Sequence, residues 1–294
     1  LGRGKRGTGM DYGIAALLFG AGIVGGTANA IAGGATLVTF PAMLAAGLPA
    51  ITANASNSLA VLPGALVAAL SDRSRLPGFS AALGTVLASA LVGGAVGAVL
   101  LMVTPESVFE TLVPLLIGFA TLIFAFGKRI QAAVKGLAAG SPGLRTLLVF
   151  PAAAYGGYFG AGLGVMLMAV LAITGREDLR SANALKNLTS TVANLTAVVI
   201  FVARGLISWP ATLVMLTGAI AGGRLGGRLL AVLPAAAARL WVKSLEAMAG
   251  LAVLIGIASS YAGLLFSYHL SVASGPAMVL TAGAVYIVSV IAGG

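Results

Sequence analysis

A series of long apolar runs constrains this chain more than any other feature. The runs at 12–32, 52–70, 79–103 and 183–203 each contain at most one charged residue, and a membrane span takes about 20 residues. Charged residues make up 8% of the 294 residues, whereas a soluble domain carries about 25%. A folded chain of this size cannot hide so much apolar surface from water. The sequence therefore predicts an all-α polytopic transmembrane helical bundle with lipid as its solvent.

The charged residues exclude several classes of function. The formal net charge is +10, but the Lys and Arg residues are scattered between the apolar runs, as membrane orientation requires. We therefore expect no nucleic-acid partner. The chain has no Cys and one His, so it lacks the residues of a disulfide, a reactive thiol or a metal cluster. Seven acidic residues leave little material for carboxylate catalysis. We expect neither an enzyme nor a cofactor.

The apolar pattern starts again in the second half of the chain. Each half has a long run, a glycine break, a short run, a turn, an Asn-bearing run and two further runs. Sliding residues 32–65 forward by 129 aligns Ala32-Gly33 with Ala161-Gly162 and Asn54 with Asn183, without a gap. Internal repeats of this kind are typical of secondary transporters.

These boundaries divide the chain into five parts. They are a basic N-terminal tail at 1–10, a first transmembrane repeat at 11–127, a basic cytoplasmic linker at 128–145, a second transmembrane repeat at 146–266, and an extra C-terminal transmembrane helix at 267–294. The tail lacks the apolar core and cleavage site of a signal peptide. One interpretation is that it is foreign to the natural chain, which would then start at Met10.

The distribution of basic residues predicts how the two halves are oriented. The loops at 71–78 and 175–181 and the linker carry Lys and Arg, whereas the loop at 104–110 carries two Glu and no basic residue. Basic loops lie in the cytoplasm. If each long run forms a hairpin with the short run that follows it, the pair begins and ends on the same side of the membrane. Three crossings then follow, so the second half enters from the opposite face. We therefore predict inverted repeats. Arg204 and the N-terminal tail do not fit this scheme.

Each half contains a glycine-rich break followed by a run too short to span the membrane. The breaks lie within NAIAGGATLVTFP at 29–41 and GGYFGAGLGVML at 156–167. Irregular backbone inside a bilayer is tolerated where it lines a cavity or is buried in protein, and the N-terminus of a helix attracts anions. Close packing of small residues is the alternative, and it is our interpretation of Gly22–Gly26, Gly93–Gly97 and Gly218–Gly222. We predict substrate-binding residues at Asn29, Gly33, Gly34 and Thr36 and at Gly160, Gly162 and Gly164.

A polar stripe follows each break, on one face of a predicted helix. In the second half the stripe consists of Asn183, Asn187, Thr191 and Asn194, with Lys186 beside it. In the first half it consists of Asn54, Asn57 and Ser58. The alternatives are hydrogen bonds between packed helices for the stripe and snorkelling for Lys186. Because polar groups are costly in lipid, we favour a cavity between the repeats, where Asn amides bind oxyanion oxygens and Lys186 supplies positive charge.

Three segments resemble the TauE/SafE sulfite exporter family. They are AGGATLVTFPAMLAAGLPAITANASNSLAVLPGAL at 32–66, YGGYFGAGLGVMLM through RSANALKNLTSTVAN within 155–194, and GAIAGGRLGGRLL at 218–230. The likeness extends over roughly residues 12–255. It implies export of a sulfur-containing anion, such as sulfite, thiosulfate, sulfoacetate or a related organosulfonate, across the bacterial inner membrane.

The end of the chain departs from this pattern. The segment LLFSYHLSVASGPAMVLTAGAVYIVSV at 264–290 is similar to the C-terminal end of zinc/manganese ABC permease membrane subunits. We interpret it as an extra or diverged terminal helix. A membrane subunit of an ABC-type metal importer is accordingly one alternative function, and an anion channel or uncoupled pore is another.

The favoured hypothesis is a secondary transporter that works by alternating access. A homodimer is one of the oligomeric states that the sequence leaves open. No Asp or Glu lies in either glycine break or on the Asn-bearing runs. Export of an anion from a negative interior is already favourable by about 2.3 kcal/mol per charge at 100 mV. We therefore expect the substrate gradient and the membrane potential to drive transport without a coupling ion.

Overall fold

The computed structural model describes residues 11–31, 34–71, 73–175 and 178–232. Within these ranges the chain forms nine α-helices and a 3-10 turn at Arg73–Arg75, and no strand. The helices are α1 (Tyr12–Ile31), α2 (Thr36–Ala45), α3 (Ala50–Ser71), α4 (Ala81–Val103), α5 (Glu106–Val134), α6 (Pro142–Tyr158), α7 (Leu163–Thr174), α8 (Leu179–Ala203) and α9 (Trp209–Val232). The predicted all-α bundle is confirmed. The predicted C-terminal helix at 267–294 lies outside the described residues.

Five of the described helices, α1, α3, α4, α5 and α8, are long and apolar enough to cross a membrane. Large apolar side chains are exposed along their outer faces, among them Val103, Leu115 and Val199. Such exposure would be unfavourable in water and is expected against lipid tails. The described part of the chain is therefore that of a multi-pass membrane protein.

Local side chains fix where several helices begin. Ser80 caps α4, since its Oγ accepts a hydrogen bond from Leu83 N at 3.3 Å. Asp178 caps α8 in the same manner and accepts from Arg180 N at 3.2 Å. A side-chain hydrogen bond from Ser181 holds the pKa of Asp178 below its usual value, which favours the ionised carboxylate that suits a helix N-terminus.

Both glycine breaks interrupt helical structure where the sequence predicts. α1 ends at Ile31 and α2 begins at Thr36, while α6 ends at Tyr158 and α7 begins at Leu163. α2 has 10 residues and α7 has 12, about 15 and 18 Å of helix. Neither is long enough to cross the hydrocarbon core, which is about 30 Å thick.

The two most extensive helix contacts join the halves of the chain reciprocally: α1 packs on α9, and α4 packs on α6. Glycine makes both contacts close. A Cβ on Gly26 would overlap the carbonyl oxygen of Ala219, and a Cβ on Gly97 would overlap that of Ala154. The predicted packing role of the three Gly-x-x-x-Gly segments is confirmed.

The offset of 129 residues also relates the glycines of α4 to those of α9. It carries Gly93, Gly94 and Gly97 onto Gly222, Gly223 and Gly226. Gly93 lies against Phe150 of α6, and Gly222 lies against Ile23 of α1. Each of these two helices therefore uses the same glycine position to contact the first helix of the other half.

The connection between α5 and α6 lies within the predicted linker at 128–145. α5 continues to Val134, and α6 begins at Pro142. The connection between them caps the end of α7: the amides of Gly136, Ala138 and Gly140 donate to the carbonyls of Ala172, Ile173 and Thr174, at 2.7, 3.0 and 2.9 Å. The linker thus satisfies carbonyl groups that a helix C-terminus leaves without partners.

Aromatic side chains fill the centre of the bundle beside the second break. Phe40, Phe109 and Phe159 are fully buried. The rings of Phe40 and Phe159 meet edge to face with centroids 5.3 Å apart, a preferred geometry for aromatic pairs. This contact seats α2 of the first half directly against the break of the second half.

Candidate functional site

The second glycine break depends on a backbone conformation that favours glycine. Gly160 and Gly162 both have φ of +82°, in the left-handed region that side chains with a Cβ disfavour. Gly162 is also the N-cap of α7, and it has no side chain with which to cap that helix. The sequence therefore produces a helix N-terminus inside the bundle, with its positive dipole end at the break.

Lys186 of α8 lies beside this N-terminus. A Cβ built on Gly164 would stand 3.7 Å from Cδ of Lys186, so the lysine stem passes over the first turn of α7. Nζ donates a hydrogen bond to Oδ1 of Asn183 at 2.7 Å, and the side chain is half-buried. A positive side chain and the positive end of a helix dipole thus lie at the same break, an arrangement that favours a bound anion.

The remaining polar residues of α8 divide between two environments. Oδ1 of Asn194 would lie 4.0 Å from a Cβ on Gly160, so Asn194 faces the break. Thr191 instead donates to the carbonyls of Ala65 in α3, at 3.2 Å, and Asn187, at 2.7 Å. Thr191 therefore fits the alternative interpretation, in which polar side chains join packed helices.

Asn54 brings the first half of the chain to the second break. Its Nδ2 donates to the carbonyl oxygen of Tyr158, the last residue of α6, at 2.8 Å. The side chain is buried, with 1% of its surface exposed, and its Oδ1 has no hydrogen-bond partner. Ser58 donates to the Asn54 carbonyl at 2.9 Å, which is an ordinary helical back-bond.

Asn57 lies one turn further along α3 and is equally buried, at 1%. Its Oδ1 is in close contact with the hydroxyl of Thr39 in α2, while Nδ2 has no partner. The hydroxyl of Tyr155 in α6 is a third buried polar atom without one. Sequence reasoning missed Thr39 and Tyr155, because neither lies on the Asn stripe or in a glycine break. No sequence signal marks either residue, because their burial and their neighbours arise only in the tertiary fold.

The first break is less completely described. Gly34 has φ of +142°, which favours glycine, and Thr36 opens α2 half-buried. Nδ2 of Asn29 lies over Gly64 of α3, where a built Cβ would be 3.1 Å away. Gly33 lies outside the described residues. Asn29 and Gly64 thus join the end of α1 to α3 in the first half.

Seven of the fifteen residues predicted to bind substrate lie around the second break. Those in contact with it, or with a residue that contacts it, are Asn54, Gly160, Gly162, Gly164, Asn183, Lys186 and Asn194. Among the described residues no group of three His, Cys, Asp or Glu could hold a metal ion. A concave surface near Arg145, between the starts of α4 and α6, contains none of the predicted residues.

Comparison with known proteins identifies the family. The model of the family described as "Sulfite exporter TauE/SafE" matches residues 18–253. The chain belongs to the sulfite exporter TauE/SafE family. A probable membrane transporter protein of Haemophilus influenzae is 32% identical over 225 residues, which cover 75% of this chain and 88% of the relative.

Two further relatives of the TauE/SafE member have similar names. The probable membrane transporter protein ORF9 of a Sinorhizobium species is 29% identical, with 74% of this chain and 84% of the relative covered. The probable membrane transporter protein YfcA of Escherichia coli is 27% identical, with coverage of 73% and 80%. No solved structure matches the chain.

A second family model matches only the end of the chain. It is the "ABC 3 transport family", over residues 228–293. Nearly all of this stretch lies outside the described residues, and it overlaps the TauE/SafE match from residue 228 to 253. This match includes residues 264–290 and confirms, for this local stretch, the similarity to ABC permease membrane subunits.

Proposed function

We propose that this TauE/SafE protein is a secondary transporter, not an enzyme, that exports a small sulfur-containing anion across the bacterial inner membrane. The observation that carries the proposal is the position of Lys186 beside the N-terminus of α7. A lysine and a helix dipole together favour an anion, and intramembrane charged residues mark substrate pathways. The family description supplies the chemical class, with sulfite, thiosulfate, sulfoacetate and related organosulfonates as candidates.

Alternating access between two inverted repeats is the mechanism we propose. The reciprocal packing of α1 on α9 and of α4 on α6 supports a twofold relation between the halves. The 29 residues of α5 measure about 43 Å, which exceeds the hydrocarbon core and is long enough for the ends of this helix to lie on opposite sides of the membrane. Discontinuous helices at the interface of repeats are where secondary transporters bind substrate.

The energy source we propose is the membrane potential acting on the anion, together with its gradient. No Asp or Glu lies within the six helices that flank the two breaks or carry the polar stripes, which are α1, α2, α3, α6, α7 and α8. These helices therefore hold no carboxylate to carry a coupled proton. An anion leaving a negative interior gains about 2.3 kcal/mol per charge at 100 mV.

Ligand binding by the purified protein tests the proposal. Sulfite, thiosulfate, sulfoacetate and taurine would be screened by the shift in thermal unfolding temperature, with acetate and chloride as control anions. We expect at least one sulfur compound to raise the unfolding temperature in a saturable manner, and Lys186→Met to abolish the shift. Equal shifts with all anions, or none with any sulfur compound, would overturn the substrate class. Single-channel currents in planar bilayers would favour a pore over a carrier.

A further inference from the structure

The amide of Asn54 has one end fixed and the other without a partner. Nδ2 donates to the carbonyl oxygen of Tyr158 at 2.8 Å. A carbonyl can only accept, so the orientation of the amide is determined. The remaining atom, Oδ1, is a buried acceptor without a hydrogen-bond partner in a side chain that is 1% exposed. A buried acceptor is unfavourable until a donor reaches it.

The equivalent positions in the second half show which hydrogen-bond donor the first half lacks. The offset of 129 residues carries Asn54 onto Asn183 and Asn57 onto Lys186. In the second half, Lys186 Nζ donates to Asn183 Oδ1 at 2.7 Å and satisfies the acceptor. In the first half the lysine is replaced by Asn57, whose contact is with Thr39 of α2. The Asn54 oxygen is therefore left for another donor.

Asn57 adds a donor to this acceptor. The two residues are three positions apart on α3, hence on one face of the helix, and Nδ2 of Asn57 has no partner. A hydroxyl group is the simplest ligand group that can donate to Asn54 Oδ1 and accept from Asn57 Nδ2. An alkyl group offers neither function, and a fully deprotonated oxyanion can only accept.

We propose that Asn54 is a specificity-determining residue, whose Oδ1 accepts a hydrogen bond from a hydroxyl carried by the anion that the site binds. The inference rests on the proposed function and refines its substrate class to monoanions that bear a hydroxyl. Lys186 and the N-terminus of α7 hold the charged group at one end of the second break, and Asn54 lies at the other end, at Tyr158. A site that hydrogen-bonds a substrate hydroxyl rejects the analogue without it, because its own polar groups are then left unpaired.

Two sulfonates of matched shape test the inference. In 2-hydroxyethanesulfonate a hydroxyl stands where 1-propanesulfonate has a methyl group, and both are monoanions across the accessible pH range. Their dissociation constants would be measured by calorimetry on the full-length protein. We expect the wild type to prefer the hydroxyl compound by about tenfold or more. In Asn54→Leu, whose side chain has the same number of heavy atoms and the same branching at Cγ, the preference should fall to about one.

Controls separate this inference from the proposed function. Lys186→Met should weaken the binding of both sulfonates and leave their ratio unchanged. Equal binding of the two compounds by the wild type, or the same preference in wild type and Asn54→Leu, would overturn the role of Asn54 while sulfonate binding stands. Binding of neither compound would overturn the inference, and the proposed function would fall with it only if sulfite, thiosulfate and sulfoacetate also failed to bind. If Asn54→Leu does not fold, Asn57→Leu tests the same hydroxyl contact and should also lower the preference.

Discussion

The stem of Lys186 lies across Gly164, in the first turn of α7, where a Cβ would stand 3.7 Å from the lysine Cδ. α7 is one of two short helices that begin at a glycine break inside the bundle. The contact places an amine-bearing side chain at the positive end of a helix dipole, in a protein that is otherwise poor in charge. Both features favour an anion.

Replacing Lys186 by Met should weaken anion binding strongly. A hydrogen bond to a charged group contributes about 1.5–3 kcal/mol, so the dissociation constant should rise roughly tenfold to a hundredfold. Asn57→Leu, at the equivalent uncharged position of the first half, should have a smaller effect. Lys135→Met, which removes an exposed charge at the C-cap of α5, is the control. An unchanged affinity in Lys186→Met would instead support snorkelling of this lysine to the membrane interface.

Gly162 and Gly164 should respond differently to alanine. Gly162 has φ of +82°, and left-handed backbone costs a residue with a Cβ about 1–2 kcal/mol. Gly164 lies inside α7, and an added Cβ would make an ordinary contact with the Lys186 stem. Thermal unfolding in detergent should show a lower midpoint for Gly162→Ala and little change for Gly164→Ala. Equal midpoints for the two variants would show that the left-handed turn is not required.

In α4, which packs closely on α6, one glycine should tolerate substitution by alanine and another should not. A Cβ on Gly97 would overlap the backbone of Ala154, whereas a Cβ on Gly84, in the same helix, meets nothing within 4 Å. Overpacking costs about 1–3 kcal/mol, and alanine is favoured over glycine in an open helical position by up to about 1 kcal/mol. Gly97→Ala should therefore unfold at a lower temperature and Gly84→Ala at an equal or higher one. The opposite order would contradict the packing described here.

The sequence predicts the helices and both breaks well, because apolar length and glycine are local signals. It does not predict how far α5 continues. The helix runs past the basic pair Lys128 and Arg129 and ends at Val134, because Lys and Arg are good helix formers and give no stop signal. The bond from Asn54 to Tyr158 joins residues 104 positions apart, and only the tertiary fold brings them together. The same holds for Thr39 and Tyr155.

Single cysteine substitutions can test the membrane topology, because the chain contains no cysteine of its own. Cysteine at Thr104, between α4 and α5, should react with a membrane-impermeant maleimide from outside the cell. Cysteine at Ala139, between α5 and α6, should react only after the membrane is opened, as the basic connection is expected in the cytoplasm. Labelling of both positions from the same side would contradict a membrane-spanning α5 and, with it, the inverted repeats.

The most direct test of the account is the response of transport to an imposed membrane potential. Proteoliposomes containing the wild type would carry a potassium-diffusion potential at equal pH and equal sodium on both sides, with the flux of the monoanion 2-hydroxyethanesulfonate as the signal. We expect the flux to follow the sign and size of the potential, as for an uncoupled anion, and Lys186→Met to reduce it at every potential. A flux that ignores the potential and follows a pH step would contradict the account.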